Sequence, residues 1–272
     1  MSPSWTSTAI ASSSAEAPGV GLRAVVRLTL LVVWSTFAIS VWLAGQLLFF
    51  WSPAWRRTIR CQVFQRWAHL VLRLLGVHTV VEGTAPARPF LLVSNHLGYL
   101  DIVAYAASLP TRFVAKQEVR EWPVIGFLAW AMDTIFIDRT ALRDTVRVLD
   151  QVAAAIDAGD GVTIFAEATS TAGRAVQPFR PALLEWAATT GSPVHYASVS
   201  YRTPAGTIPA HLSVCWWGDM TFGHHLVGLA QIPRIDATIR LGAEPIVDPD
   251  RKQLAARLHQ AVSAQFVPVV ME

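Results

Sequence analysis

The sequence predicts an α/β domain with a largely parallel sheet flanked by helices, preceded by an N-terminal membrane helix or helical hairpin. Three observations lead there. From Val80 onward, short β-branched runs alternate with stretches of helical period, the pattern of successive strand–helix units. The helical period between the strand candidates is clear, most of all over 140–158. Upstream of them, Leu28 to Trp51 contains no charged residue.

In chain order, residues 1–22 form the first segment. They are rich in Ser, Ala, Thr and Pro and carry a single charge, Glu16, so a disordered tail is expected. Residues 23–76 read as a membrane-associated helical region. The 24 uncharged residues from Leu28 to Trp51 are enough to cross a hydrocarbon core of ~30 Å at a rise of ~1.5 Å per residue. Arg23 and Arg27 precede that run, and Arg56, Arg57, Arg60 and Arg66 follow it. The excess on the C-terminal side places the rest of the chain on the cytoplasmic face of the inner membrane. Residues 54–75 carry a second, amphipathic helical pattern (Trp55, Ile59, Val63, Trp67, Leu70, Leu74) that lies in the interface or returns into the bilayer. A buried hairpin in a soluble protein gives the same pattern.

Residues 77–272 form the α/β domain. Strands are expected at 77–82, 90–94, 112–115, 134–138, 162–166, 193–201, 211–217 and 234–241. Helices are expected at 100–108, 118–131, 140–158, 180–190, 221–229 and 251–266. The clearest helix is 140–158, where Leu142, Val146, Leu149, Val152 and Ile156 recur at three or four and Gly159 follows.

Composition narrows the function classes. Hydrophobic residues make up 53% of the 272 and charged residues 15%, with 11 Trp, which is too apolar for an ordinary soluble domain. The net charge of +3 suits an anionic lipid or substrate, and no arginine–aromatic cluster of a nucleic-acid binder is present. Cys61 and Cys215 form no C-x-x-C, and His224-His225 lacks metal-ligand spacing, so neither a disulfide framework nor a metal site is expected. No G-x-S-x-G nucleophile elbow and no Walker sequence occurs. Cys215 lies in an apolar run and reads as a buried thiol in a strand.

Polar residues that carry chemistry gather after strand candidates. The run Phe90–Val93 delivers Asn95 and His96, and Asp101 follows five positions later. Imidazole exchanges protons near neutral pH, and a carboxylate on its other nitrogen fixes the tautomer. One such pair arises easily by chance among 8 histidines. After Phe165 come Glu167, Thr169, Ser170 and Thr171, a polar turn suited to an anionic head group. Asp138-Arg139 and Lys116 end two more strands, so both cations fall at the same sheet edge, where sites in parallel sheets collect. Either is equally well an ordinary ion-pairing residue of the rim.

Together these motifs resemble the glycerolipid acyltransferase family, over roughly residues 30–245. Its N-H-x-x-x-x-D motif matches Asn95, His96 and Asp101. Its F-P-E-G-T block matches Phe165-Ala166-Glu167-Ala168-Thr169, and its aromatic-apolar-D/N-R pattern matches Phe136-Ile137-Asp138-Arg139. The departures are Ala166 and Ala168 for Pro and Gly, and Ser170 where an arginine often follows. Alanine does not enter positive φ cheaply, so a different turn is expected there. The segment from Glu167 to Arg180, with Trp217 to Phe222, looks more like the lyso-ornithine lipid branch.

The resemblance implies acyl transfer from acyl-CoA or acyl carrier protein to a lysolipid hydroxyl, in 1-acyl-glycerol-3-phosphate fashion, as part of phospholipid biosynthesis. His96 and Asp101 would be catalytic. Asn95, Lys116, Arg139, Glu167, Thr169 and Ser170 would shape the substrate site. No cofactor beyond the acyl donor and no metal is implied; the partners are the lysolipid, the donor and the bilayer, not nucleic acid. The alternatives are a lyso-ornithine lipid acyltransferase, a hydrolase using the same pair on water, or a non-catalytic lipid-binding protein on the same fold.

Overall fold

The computed structural model describes residues 21–138 and 142–270. The expected N-terminal tail lies almost wholly outside the described residues. Helix α1 spans Leu22–Leu48 and α2 spans Pro53–Leu75. Ser52 caps α2, accepting from Trp55 N, with Pro53 at its first position, and Gly76 ends it in the left-handed conformation (φ 73°). A side chain at Gly76 would also collide with Pro233 O and Arg27.

The α/β body follows as β1 (Val77–Glu82), β2 (Phe90–Ser94), α3 (Tyr99–Ser108), β3 (Thr111–Lys116), α4 (Ile125–Ala131), β4 (Ile135–Ile137), α5 (Leu142–Asp157) and β5 (Gly161–Phe165). It continues with α6 (Glu185–Thr190), β6 (Val194–Arg202), α7 (Ala210–Ser213), α8 (Phe222–Gln231), β7 (Ile235–Leu241) and α9 (Arg251–Gln265). The strands form one sheet in the order β1-β7-β6-β2-β5-β3-β4. Only β6–β7 pairs antiparallel, so β6, β2, β5, β3 and β4 point one way and β7 and β1 the other.

Two apolar layers cover the sheet. On one face α2, α3 and α8 pack with Leu92, Phe113, Phe165, Val199 and Ile239. On the other, α5, α6 and α9 pack with Leu91, Val93, Val162 and Ile164. Odd and even residues of β2 thus go to opposite layers, and all five are buried. α2 differs from the expected interfacial helix in its second half. Phe64, Trp67, Ala68, Val71, Leu72 and Leu75 are core, while Trp55 at its start is exposed.

Three expected elements are corrected. The strand at 211–217 is absent: the segment is α7 and a loop. Val214 and Cys215 are buried without entering the sheet, while Leu212 and Trp217 are exposed, because β7 occupies the free edge of β6 and β1 covers β7. Cys215 is accordingly a buried loop residue. The helix at 118–131 is split at Pro123 into a 3-10 turn, Gln117–Glu121, and α4. The helix at 180–190 opens as a 3-10 turn, Pro181–Leu184, before α6.

Among the described residues, one helix, α1, is long and apolar enough to cross a membrane, with a mean hydropathy of 1.9. It packs on α2 and α8 yet leaves Val32, Val33, Phe37, Leu47 and Leu48 exposed. A run of exposed apolar side chains on one helix marks a contact surface for a membrane or another protein.

Candidate active site

The carboxyl ends of β2, β5 and β6 meet at the centre of the sheet. β2 is held there by both neighbours, with Ser94 in register with Phe165 on one side and Ala197 on the other. Asn95, the next residue, is buried and bonds the β6 backbone twice: its Oδ1 accepts from Val199 N at 2.8 Å and its Nδ2 donates to Val199 O at 3.0 Å. Beneath it, the Ser94 and Tyr105 hydroxyls share a hydrogen bond of 2.6 Å.

The chain then turns through His96 and Leu97 into α3. Asp101, fully buried in the first turn of α3, is the hub of this turn. Its Oδ2 accepts from His96 Nδ1 at 2.8 Å, from Leu97 N at 2.6 Å and from Gly98 N at 3.0 Å. Its Oδ1 accepts from the Tyr201 hydroxyl at 2.7 Å. Two of these partners are backbone N–H groups, which only donate, so the carboxylate is the acceptor and Nδ1 carries the proton. Nε2 is left with a lone pair and without a hydrogen-bond partner among the described residues. The ring is stacked on Phe165 at 4.3 Å, and its side chain retains 21% exposure, enough to be reached from outside.

Gly98 is needed at this turn for space. Its φ of 160° is extended backbone open to any residue, but a Cβ there would stand 2.9 Å from Trp216 N. Trp216 N itself donates to Leu97 O at 2.8 Å, so the loop after α7 closes directly over the His96 turn. Tyr99 adds a second tie, sharing a 2.8 Å hydrogen bond with Nδ1 of the buried His225 on α8.

The turn after β5 stands beside this one. Glu167 is buried, and both its oxygens are used on backbone: Oε1 accepts from His96 N at 2.7 Å and Oε2 from Gln177 N at 2.8 Å. Burial pushes its carboxyl up to about 7, against the lowering effect of those two bonds. The residue after it adopts the left-handed conformation despite being alanine: Ala168 has φ 66°. The turn therefore keeps the glycine-type backbone, at a cost of about 1–2 kcal/mol. Thr169 is exposed and Ser170 half-buried on the same turn, and Thr171 N donates to His96 O at 3.0 Å.

Of the residues expected at the site, His96, Asp101 and Glu167 form one bonded cluster, Asn95 precedes it bonded to β6, and Thr169 and Ser170 lie on the adjoining turn. Lys116 is exposed at the end of β3, on the same sheet edge but two strands from β2. Arg139 lies outside the described residues. Tyr201, Phe165 as a stacking floor, and Trp216 are additions that sequence reasoning misses. The strand alternation Ala197, Val199, Tyr201 is the available signal for Tyr201, since it puts that residue on the α3-covered face near the carboxyl end of β6. Cys215 is no rival nucleophile, because burial holds its thiol far above the ordinary range.

Comparison with known proteins fits this geometry. A family model described as Acyltransferase matches residues 77–200. The chain is 34% identical over 209 residues to a lyso-ornithine lipid O-acyltransferase of Brucella abortus, covering 72% of this chain and 78% of that protein. It is 30% identical over 200 residues to a 1-acyl-sn-glycerol-3-phosphate acyltransferase of Neisseria meningitidis, covering 71% and 76%. In fold it resembles the crystal structure of PlsC, the 1-acyl-sn-glycerophosphate acyltransferase of Thermotoga maritima. That match has a TM-score of 0.60 at 19% identity, over 89% of this chain and 97% of that one.

Proposed function

The chain belongs to the acyltransferase family, and on that premise we propose that it is a membrane-bound O-acyltransferase moving an acyl chain from acyl-CoA or acyl carrier protein to a lysolipid hydroxyl. The observation that carries this reading is the His96–Asp101 pair. A buried carboxylate with four donors holds one ring nitrogen and leaves the other as an unpartnered base.

A lipid hydroxyl is a weak nucleophile at neutral pH. His96 Nε2 takes its proton as the oxygen bonds to the thioester carbonyl carbon, and Asp101 stabilises the imidazolium formed. The tetrahedral intermediate then collapses: the C–S bond breaks, the ester remains, and the proton on Nε2 passes to the departing thiolate. No acyl-enzyme is needed. Asn95 and Glu167 act by position, anchoring the catalytic turn to β6 and to the β5 turn. We assign Thr169, Ser170 and Lys116, at the carboxyl edge of the sheet, to the acceptor head group, together with Arg139 on the strength of the motif resemblance alone.

Two acceptors are in play. The glycerol-3-phosphate type is one. The lyso-ornithine type is favoured by the β5 turn, which presents hydroxyls at Thr169, Ser170 and Thr171 with no cation among them. The body lies against the cytoplasmic face of the inner membrane. α1 is tied to the body at both ends, by Arg23 and Arg27 at its start and by Trp42 on the α4 rings near its finish, which supports a helix lying along the surface.

The test is an assay of the purified protein with labelled acyl-CoA and acyl carrier protein against lysophosphatidate, other lysophospholipids and lyso-ornithine lipid. The expected product is acylated lipid. Release of free fatty acid identifies a hydrolase, and no turnover with any pair identifies a binding protein; either sinks the proposal. His96→Ala should lose at least ~10²-fold in kcat while remaining folded. Undiminished turnover in that variant would remove His96 from the chemistry.

A further inference from the structure

At the opposite edge of the sheet from His96, a cleft of about 440 Å³ opens between the α1–α2 hairpin and α4. Arg112 on its wall begins β3, in register with Val162 at the start of β5, whereas His96 follows the end of β2. The cleft is therefore separated from the catalytic turn by the length of the strands.

Its polar lining is Gln46, Arg56, Arg57, Arg60, Arg112 and Asp133. That is four guanidinium groups against one carboxylate. Asp133 bridges Arg60 and Arg112, and Asp160 behind them pairs again with Arg112 at 2.6 Å. Two arginines are thus neutralised by two aspartates, and Arg56 and Arg57 are left over. Arg57 donates only to a neutral group, Ala158 O at 2.8 Å. The Arg56 side chain makes no hydrogen bond or ion pair among the described residues, and only its Nε is shut off from solvent, so its terminal nitrogens stay open to an acceptor from the cleft. A half-buried guanidinium that finds no acceptor in its own chain is a donor for an anion entering the cleft.

The other walls are apolar. Trp42 and Trp130 line the cleft edge-to-face at 5.6 Å. Leu43, Leu47, Trp51 and Trp55, sequence neighbours of the lining residues, are exposed. Cationic donors below an indole-bordered apolar rim fit an amphiphile that ends in an anion. The volume suits a phosphate head group, and planar guanidinium forks suit its oxygens.

We propose that this cleft binds the phosphodiester of an anionic phospholipid of the surrounding bilayer, with Arg56 and Arg57 as the principal donors and the acyl chains against α1 and Trp130. The site is independent of the acyl-transfer reading, since it shares no residue with the catalytic turn. It gives the hairpin end of the molecule a lipid-specific hold on the membrane.

The test is native mass spectrometry of the full chain in neutral detergent, titrated with phosphatidylglycerol, phosphatidylcholine or inorganic phosphate. Wild-type protein should take up one phosphatidylglycerol in preference to phosphatidylcholine. Arg56→Gln should weaken that binding about tenfold, the loss of one or two charge-assisted hydrogen bonds. Its melting temperature should stay at the wild-type value, because the side chain holds no partner in the protein. Arg66→Gln, an exposed arginine on the same helix outside the cleft, should bind as wild type. Equal weakening by Arg66→Gln would reduce the effect to diffuse charge. Equal uptake of phosphatidylcholine, displacement by inorganic phosphate at matching concentration, or unchanged affinity in Arg56→Gln would each overturn the proposal.

Discussion

Tyr201 reaches Asp101 from 100 positions along the chain and donates to the one carboxylate oxygen that His96 does not use. The ring is buried and packed, so Tyr201→Phe removes the hydroxyl and little else. Its effect should fall on turnover: the carboxylate loses a donor that fixes its plane, and the imidazole loses its aim. We expect kcat to drop by roughly 10-fold, consistent with one charge-assisted hydrogen bond, with KM for both substrates unchanged. A rise in KM at constant kcat would place Tyr201 in substrate binding instead. The reason this residue escapes sequence reasoning is physical. His96 and Asp101 are local, five positions apart, and their spacing can be read directly. Tyr201 joins them only because β6 pairs with β2 in one register, and a register is a property of two strands. Asn95 and Glu167 are legible as polar residues at strand ends, but not as residues whose polar atoms are spent on backbone. That distinction depends on which N–H groups lie nearby, and no spacing rule supplies it.

At the level of elements, the site is a junction of two turns, and Glu167 is the joint. It bonds the turn after β2 through His96 N and the returning loop through Gln177 N. Its carboxyl is raised by burial from 4.5 to about 7. A carboxyl whose folded value exceeds its unfolded value contributes stability that is complete below about 4.5 and lost as pH rises through about 7. The loss across that window is on the order of 3 kcal/mol. Glu167→Gln cannot ionise, though its amide N–H faces a backbone donor and imposes a fixed penalty at every pH. Melting temperatures of the two proteins in detergent should therefore converge between pH 4.5 and 7 as wild type loses stability. Parallel curves would show that Glu167 does not titrate in that range. The same junction shows what element-level reading of the sequence captures. The ends of β1 and β2 fall within a residue of those expected, because apolar runs stop where polar turns begin. The segment 211–217 reads as a strand and is none, since a loop that closes over the His96 turn buries apolar side chains, here Val214 and Cys215, just as a strand would.

For the whole molecule, α1 is part of the folded body as well as its apolar surface. Arg27 donates to Ala230 O, Ile232 O and Pro233 O, binding α1 to the link between α8 and β7. From there the connection continues inward: His225 on α8 bonds Tyr99 and Cys215 O, and the loop after Cys215 closes on Leu97. The hydropathy of residues 28–51 signals a membrane segment, but it carries no sign that the helix is clamped to a strand junction some 200 positions away, because a single arginine near its start reads only as a flanking charge. The clamp makes a quantitative claim. Arg27→Ala removes a set of charge-assisted bonds worth about 2–3 kcal/mol, which should lower the melting temperature in neutral detergent on the order of 5 °C. Arg23→Ala, which loses one exposed bond to Gln231 O, should shift it by about 1 °C or less. Equal shifts, or none, would mean that α1 is an independent anchor joined only by the chain. If the clamp holds, removing α1 yields an aggregating body in place of a soluble enzyme, because Ala24, Ala38 and Trp42 belong to the same core as Leu229 and Ile235.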